Sequence, residues 1–447
     1  MNLADKLKRQ LELQKKNQAN LENPSARIAA EEEPAASVSI QTTPLRIQLG
    51  RLKHFQAARA GEVALPTLGK SAPLFEESDI RSNPAGQYVQ LVFRHQTPLD
   101  SSEEWSKLRS LFALLQQFQL ECPPEKVLFL DTETTGLSGG TGTCVFLVGI
   151  GFWGPEGLTV EQYFMRGFPE ERAMLTALAE RVEGVEALVT FNGKVFDVPL
   201  LETRFLLSRL AWRFKSIPHL DLLYPVRRLW KLRLKECSLG NAEQRILGIE
   251  REEDVPGHLI PHLYFNYLQT GKPRGIREIL SHNRQDIVSL ALLTSKAADI
   301  LLALAPEARW LPEELLGAGR YFQALGREQL SLEFHRAALD APMEEEVETE
   351  ALIRLARLLK SREAYAEAVP LWEKLLHRRS LHAEEACESL AIYCEHHRRD
   401  LSLALGYAET GLREFGKTGK FSDRWHRRLA RLQRKMGKHP QGMMEQD

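Results

Sequence analysis

The chain has 447 residues, of which 43% are hydrophobic and 27% are charged, as in an ordinary soluble globular protein. This length exceeds what a single hydrophobic core supports, so we expect two or three domains. The 59 basic and 60 acidic residues leave a net charge of -1, which excludes an overall basic field. Any contact with nucleic acid must therefore come from a local basic cluster.

The cysteines and the apolar runs are typical of a cytoplasmic protein. The five cysteines are scattered and form no C-x-x-C pair, which favours reduced thiols over disulfides or a zinc site. The first residues lack the apolar stretch of a signal peptide. The longest apolar run, Cys144 to Trp153, is about half the length that crosses a bilayer. We therefore expect a cytoplasmic protein without membrane association.

The N-terminal part divides into two regions. Residues 1–43 contain an Ala-, Glu-, Pro- and Ser-rich stretch, which predicts a flexible segment. Residues 44–122 are predicted to form an accessory region. Within it, Leu45–Leu49 and Tyr88–Phe93 alternate like strands, and Trp105–Leu120 has helical spacing.

Residues 123–305 are predicted to form one α/β domain. Strands are expected from Val127, Cys144, Val160 and Ala187, and helices over Pro169–Glu183 and Pro199–Trp212. After His219 the pattern becomes mostly helical. Three successive strands followed by alternating helix and strand favour a mixed sheet with helices on its faces.

Two acidic residues end the first of these strands. The apolar run Val127–Leu130 leads into Asp131 and Glu133, whose side chains point to the same face, about 6.5 Å apart along the strand. Two carboxylates on one face repel each other unless a cation neutralises them. Carboxylate oxygens suit Mg²⁺ or Mn²⁺. The alternative is a solvated turn after the strand.

Two further acids lie in matching contexts. Asp197 follows a predicted strand at a strand-to-helix junction, although it could also cap the helix that begins near Pro199. Asp286 lies on a periodic helix, and His282, four residues before it, shares its helical face. Four acids could hold two divalent ions. His282 could then be the general base or an ordinary hydrogen-bonding histidine.

These motifs together resemble those of the DEDD superfamily of ribonuclease-H-like 3′–5′ exonucleases. The resemblance covers roughly residues 125–300 and is carried by Asp131–Gly136, Asn192–Asp197 and His282–Asp286. It implies that Asp131, Glu133, Asp197 and Asp286 are the metal ligands and that His282 occupies the position of the general base. Three residues separate His282 from Asp286, which is the spacing of the tyrosine-type members, whereas histidine-type members usually have four.

Other stretches are similar to the bacterial YprB-type proteins, which carry this domain with a tetratricopeptide-like tail. They are Phe191–Lys194, His219–Leu222 and Pro256–Tyr267. The resemblance places Asn192 near the substrate strand. His219 and Asp221 are interpreted as a structural pair or as a supporting layer around the site.

Two stretches are candidates for contacts with nucleic acid. Thr134, Thr135 and Gly136 are small and polar beside the acids, and they could let a terminal nucleotide approach or form an ordinary turn. The run from Arg227 to Lys235 is basic and is a candidate for phosphate contacts or an amphipathic element with a solvated face. Its named candidates are Arg227, Arg228, Lys231 and, for stacking on a base, Trp230.

Residues 311–437 carry no strand signal and repeat weakly. Leu355-Ala356 and Leu390-Ala391 lie 35 residues apart, as do Trp372 and Tyr407. A period near 34 residues predicts a tetratricopeptide-like helical domain that could bind a protein partner, with a generic helical bundle as the alternative. Residues 438–447 form a tail.

The expected function is that of a metal-dependent nuclease, a 3′–5′ exonuclease that acts on single-stranded DNA or RNA ends with two Mg²⁺ or Mn²⁺ ions. One alternative is a non-catalytic scaffold that uses the same fold and the helical repeats to bind nucleic acid or a partner. Four mutually repelling carboxylates argue against this alternative. The other alternative is a structure-specific endonuclease.

Overall fold

A computed structural model describes residues 74–95, 101–116, 120–136, 142–154, 157–212, 214–251, 254–416 and 420–437. The predictions for residues 1–43, for the Leu45–Leu49 strand and for the tail 438–447 lie outside these ranges. None of the described helices is both long enough and apolar enough to span a membrane.

The centre of the molecule is a seven-stranded mixed sheet with the strand order β1-β2-β5-β4-β3-β6-β7. Strands β3, β6 and β7 are parallel, and the other neighbouring strands are antiparallel. This confirms the predicted mixed sheet. The strands are β1 (Ile80–Asn83), β2 (Gly86–His95), β3 (Val127–Thr134), β4 (Val145–Gly154), β5 (Gly157–Phe164), β6 (Ala187–Thr190) and β7 (His219–Asp221).

Strands β1 and β2 are part of this sheet. β2 pairs with β5 from Val89 opposite Phe164 to His95 opposite Leu158. The alternation predicted over Tyr88–Phe93 is therefore present as a strand. The domain boundary placed at residue 123 stays a prediction, and two strands on its N-terminal side complete the same sheet.

Helices cover both faces of the sheet. The helices of this part are α1 (Ser101–Gln116), α2 (Glu171–Arg181), α3 (Asp197–Leu207), α4 (Leu223–Trp230), the short α5 (Leu239–Ala242), α6 (Ile260–Thr270) and α7 (Ile276–Leu301). One apolar core contains buried residues of α1, α4 and most of α7, and the other contains those of α2, α3 and α6. The alternating apolar residues of β3 contribute to both cores, which is why its first four residues are all buried.

Two helices differ at their ends from the predicted ranges. The helix expected from Pro169 begins as a 3-10 turn, Phe168–Glu170, before α2. The helix expected over Pro199–Trp212 begins earlier, at Asp197, and ends at Leu207. Its first residue is therefore the acid that the sequence analysis singled out.

The C-terminal part of the described chain is entirely helical, as expected. Its helices are α8 (Pro312–Ala324), α9 (Glu328–Leu339), α10 (Glu345–Ser361), α11 (Tyr365–His377), α12 (Ala383–His396), α13 (Leu401–Phe415) and α14 (Lys420–Gly437). Each helix packs against the next one along the chain. Further apolar clusters lie between them. The tetratricopeptide identity of these helices stays a prediction.

The helical part is joined to the sheet part through α4 and α8. At Gly317 on α8 a Cβ atom would overlap the backbone of Leu229, so glycine permits this close approach. The buried Glu314 accepts hydrogen bonds from Trp230 Nε1 and Arg233 Nη1, both at 3.0 Å. These contacts fix α8 against α4.

Candidate active site

The candidate site lies where the parallel strands β3, β6 and β7 end at the same edge of the sheet. Along β3, Val127 and Phe129 belong to one core, and Leu128 and Leu130 belong to the other. Because side chains alternate, Asp131 and Glu133 continue the face of Val127 and Phe129. That face is covered by α7, so both carboxylates point towards this helix.

Helix α7 brings the third motif against β3. His282 Nε2 lies 3.5 Å from Asp286 Oδ2 and 3.9 Å from Glu133 Oε1. One ligand atom from each of Glu133, His282 and Asp286 lies within 4.8 Å of the others, a spacing that could hold a metal ion. These side chains are only 11–15% exposed.

Asp197 joins the cluster from the other side of β3. Thr132, which alternates to the opposite face from Asp131, donates its hydroxyl to Asp197 Oδ1 at 2.5 Å. The N-cap position of α3 is Phe196, and the helix has no side-chain cap hydrogen bond. The carboxylate of Asp197 is therefore directed to the strand that carries the other acids.

The four acids repel one another in a buried setting. Burial, followed by the nearby Asp286 and Asp197, raises the pKa values of Asp131 and Glu133 well above the ordinary range. Burial also raises the pKa of Asp197 to about 6 and raises that of Asp286. The positive charges around these carboxylates are too few to neutralise them. Their oxygen atoms are of the kind that hard divalent cations prefer.

One arginine partly compensates these acids. Arg251 forms a two-pronged ion pair with the buried Glu243, with both N–O distances at 2.5 Å, and its guanidinium also contacts Asp286 Oδ1. Arg251 and Glu243 belong to no motif that the sequence analysis recognised. Their only sequence signal was their charge.

A carboxylate orients the imidazole of His282. Its Nδ1 lies 2.6 Å from Asp254 Oδ1 and 2.9 Å from Arg251 Nη1. It cannot donate to the first and accept from the second at once, and the shorter distance favours donation to Asp254. Nε2 then carries the lone pair and faces Glu133 and Asp286. Asp254 is a further residue that sequence reasoning missed.

Asn283 ties α7 to the first acid. Its side-chain N–H donates to Asp131 Oδ2 at 2.9 Å, and its oxygen accepts from Gln162 Nε2 at 2.8 Å. Both Asn283 and Gln162 are fully buried. A Cβ atom on Gly149 would overlap the Asn283 amide. The signal that could have identified Asn283 is its position beside His282 on the same helix.

The pair His219 and Asp221 builds the loop after β6. Asp221 accepts hydrogen bonds from the backbone N–H groups of Asn192 at 2.7 Å and Lys194 at 3.1 Å. Asn192 has a φ of 64°, a left-handed conformation that asparagine tolerates better than most residues. His219 lies 2.8 Å from Thr190 Oγ1, and burial lowers its pKa to about 4. This pair thus supports the loop that leads to Asp197.

The predicted nucleic-acid contacts divide into two groups. Thr134 donates to Gly136 O at 2.7 Å, and Thr135 Oγ1 accepts from the Cys144 backbone at 2.9 Å, so both hydroxyls stabilise the turn after β3. Arg227 and Arg228 are exposed on α4, and Lys231 is exposed directly after it.

Trp230 departs from its predicted role. Its side chain is 0% exposed, because the ring packs in the core and donates to Glu314 at the junction with the helical part. It therefore does not offer a face to a base. Sequence alone could not separate these roles, because an aromatic residue in a basic helix is equally suited to stacking and to a buried contact.

Comparisons with known proteins agree with this geometry. The family described as the RNase_H superfamily matches residues 128–298, which include all four acids and His282. The Bacillus subtilis (strain 168) protein YprB, described as uncharacterized, is 34% identical over 316 residues, covering 69% of this chain and 75% of YprB.

One solved structure shows only a weak similarity of fold. The family B DNA polymerase of the archaeon Pyrobaculum calidifontis is 16% identical with a TM-score of 0.31, covering 47% of this chain and 30% of the polymerase. This chain thus spans less than a third of the polymerase. RNase H-like nucleases act on nucleic acid and generally use divalent metal ions, which matches the acidic cluster. The chain belongs to the YprB family within the RNase H superfamily.

Proposed function

We propose that this protein is a metal-dependent nuclease that removes nucleotides from the 3′ ends of single-stranded DNA or RNA. The observation that carries the proposal is the largely buried cluster of Asp131, Glu133, Asp197 and Asp286, in which Asp286 and Asp197 raise the pKa values of Asp131 and Glu133. A cluster of this kind costs folding free energy unless a bound cation neutralises it. The resemblance of the motifs to those of 3′–5′ exonucleases supports removal of nucleotides from the 3′ end.

The four carboxylates would hold two divalent ions, Mg²⁺ or Mn²⁺, with His282 beside Glu133 and Asp286. Two such ions would supply an activated water and would stabilise the leaving oxygen of an in-line displacement at phosphorus. The protein's own part is to orient the carboxylates. Thr132 fixes Asp197, and Asn283 fixes Asp131.

His282 would take the proton from the attacking water. Donation of Nδ1–H to Asp254 leaves Nε2 unprotonated and directed at the acids, and the Asp254 carboxylate would stabilise the imidazolium that forms. The three-residue spacing before Asp286 does not prevent this approach, since both side chains lie on the same face of α7.

The proposal is tested by hydrolysis of matched DNA and RNA oligonucleotides with Mg²⁺ and with Mn²⁺. We expect Asp131→Asn and Asp286→Asn to lower the rate by on the order of 10³-fold or more. Glu236→Gln, at an exposed position, is the matched control and should behave as the wild type. Equal rates in the Asp131→Asn variant and the wild type would contradict the metal-site assignment.

The position of cleavage is tested separately with end-labelled and circular substrates. Stepwise release of mononucleotides from a 5′-labelled strand, with circular strands left intact, is the expected result. Cleavage of circular strands would instead indicate an endonuclease. Tight binding without hydrolysis under any metal would indicate the scaffold alternative, for which a protein partner of the helical part also stays a prediction.

A further inference from the structure

A group of cations without carboxylate partners surrounds the junction of the two parts. Arg227, Arg228 and Lys231 lie at α4, Arg320 lies on α8, and Arg327 lies between α8 and α9; we call these the junction cations. Within the described part of the chain, none of them has an ion pair or a side-chain hydrogen bond. Elsewhere in the helical part, by contrast, many arginines are paired with acids.

The paired arginines provide the contrast. Arg336 lies 2.7 Å from Glu367, Arg357 lies 2.6 Å from Glu385, and Arg431 lies 2.5 Å from Glu395. The chain therefore has acids available to pair with its cations elsewhere in the helical part. At the junction, Arg228, Arg320 and Arg327 lie near Tyr321 without such pairing among the described residues.

Tyr321 on α8 lies close to several of the junction cations. The Arg228 guanidinium carbon lies 5.7 Å from the centre of the Tyr321 ring. Arg228 and Arg327 both oppose the rise that burial imposes on the pKa of Tyr321, so both lie close to this ring. Arg320 is the next residue before Tyr321 on the same helix, and it is half-buried.

Arg320 is in an unfavourable electrostatic position. Burial lowers its pKa, and the positive charges of Arg354 and Arg228 lower it further. Arg354 is neutralised in part by Glu350, which accepts its Nε–H at 2.5 Å. The negative charge of Glu350 opposes this lowering of the Arg320 pKa. Half-buried like charges that are only partly compensated cost folding free energy, and a bound anion would reduce that cost.

Helix α4 begins beside the candidate active site. Asp221, which holds the loop leading to Asp197, lies two residues before the start of α4. A strand whose 3′ end lies at the acids would meet α4 first and α8 next.

We propose that the junction cations bind the phosphodiester backbone of a single-stranded nucleic acid several nucleotides away from its reacting end. The helical part would thereby take part in substrate binding and select strands long enough to reach α8. The identity of the reacting end rests on the proposed function. The binding itself does not, because it can be measured without hydrolysis.

The test measures the dissociation constants of fluorescent oligothymidylate and oligouridylate of roughly 6 and roughly 24 nucleotides for the full chain in EDTA. The variant is Arg228→Gln/Arg320→Gln, and the matched control is Arg336→Gln/Arg357→Gln, which removes two paired arginines of the helical part. We expect the first variant to raise the dissociation constant of the long strand about 10-fold or more and to change that of the short strand little. The slope of the logarithm of its binding constant against the logarithm of the salt concentration should become shallower by about 1.4, which is about 0.7 for each lost phosphate contact.

A second variant, Arg227→Gln/Lys231→Gln, changes two exposed residues and provides an independent test in case the first variant misfolds. It should also weaken binding of the long strand, while both variants keep the melting temperature of the wild type. Equal effects of the junction and control variants would overturn the proposal, as would equal losses for the short and long strands. Hydrolysis that persists in Asp131→Asn would instead contradict the proposed function and leave the binding result standing.

Discussion

Asn283 donates its side-chain N–H to Asp131 Oδ2 at 2.9 Å, and this bond joins the helix that carries His282 and Asp286 to the strand that carries the first acids. Gln162 holds the Asn283 amide in the required orientation from the neighbouring strand β5. The contact is buried, so water cannot replace it. Asn283 is therefore a positioning residue for the metal ligands.

Substitution at Gly149 tests this role without changing any ligand. A Cβ at Gly149 would overlap the Asn283 amide, whereas a Cβ at Gly151, two residues along the same strand, would meet Ile287 instead. We expect Gly149→Ala to lower hydrolysis and Mn²⁺ affinity by about 10- to 100-fold. Gly151→Ala should lower stability with a smaller effect on Mn²⁺ affinity. Equal Mn²⁺ affinities in the two variants, measured by calorimetry, would argue against a positioning role.

The acidic cluster should make the metal-free protein less stable than a neutralised variant. Because burial and neighbouring acids raise the pKa of Asp131, its ionised form opposes folding, and this loss grows as pH rises above the ordinary carboxyl range. We expect Asp131→Asn to raise the melting temperature in EDTA by about 2–5 °C and to remove most of the stabilisation by Mn²⁺. Thermal unfolding with and without Mn²⁺ measures both effects, with Glu236→Gln as the control. A lower melting temperature for Asp131→Asn in EDTA would contradict the prediction.

His335 in the helical part predicts an acid sensitivity unrelated to the site. The ring is fully buried on α9, its Nδ1–H donates to Ser331 O at 2.7 Å, and its Nε2 has no hydrogen-bond partner among the described residues. Burial lowers its pKa to about 4. The unfolded chain therefore takes up this proton first, and stability falls as the pH drops from about 6.5 towards 4.

We expect His335→Gln to remove about 1 kcal/mol of the loss in unfolding free energy between about pH 7.5 and about pH 5.5. Urea denaturation at the two pH values measures this difference. His258→Gln, at an exposed histidine, is the control. The same pH dependence in His335→Gln and the wild type would show that the proton is taken up elsewhere, for example by His219, whose pKa is also lowered to about 4.

Glu314 tests the connection between the sheet part and the helical part. Its replacement by alanine leaves the buried Trp230 Nε1 without an acceptor, which costs about 1–3 kcal/mol. We expect Glu314→Ala to lower the unfolding free energy by that amount and to speed proteolysis between α7 and α8. Glu328→Ala, at an exposed acid of α9, should do neither.

A double-mutant cycle completes this test. If Trp230 and Glu314 interact directly, adding Trp230→Phe to Glu314→Ala should cost less than the sum of the two single effects. Additive effects would show that the two side chains act independently.

Local pattern predicted the elements that carry the site. The alternation over Tyr88–Phe93 became the interior of β2, and the periodic stretch around Asp286 became α7. The i, i+4 spacing placed His282 and Asp286 on one face. These features depend on short-range geometry, which composition and spacing encode directly.

Contacts between distant segments could not be predicted in the same way. Arg251 reaches Asp286 across 35 residues, and Asn283 reaches Asp131 across 152 residues. Nothing in the spacing of either pair indicates a contact. The burial of Trp230 against Glu314, 84 residues away, likewise required the packing of α8 on α4.

The mixed sheet, the all-helical C-terminal part and the acids of the cluster were predictable from local pattern, because strand alternation and helical periodicity are properties of neighbouring residues. The groups that surround those acids follow instead from tertiary packing. Asp254, Asn283 and Arg251 come into place because α7 and the segment before α6 pack over the end of β3. The roles of His282 and of the junction cations therefore depend on packing, since the electrostatics of a buried group are set by whatever the fold places around it.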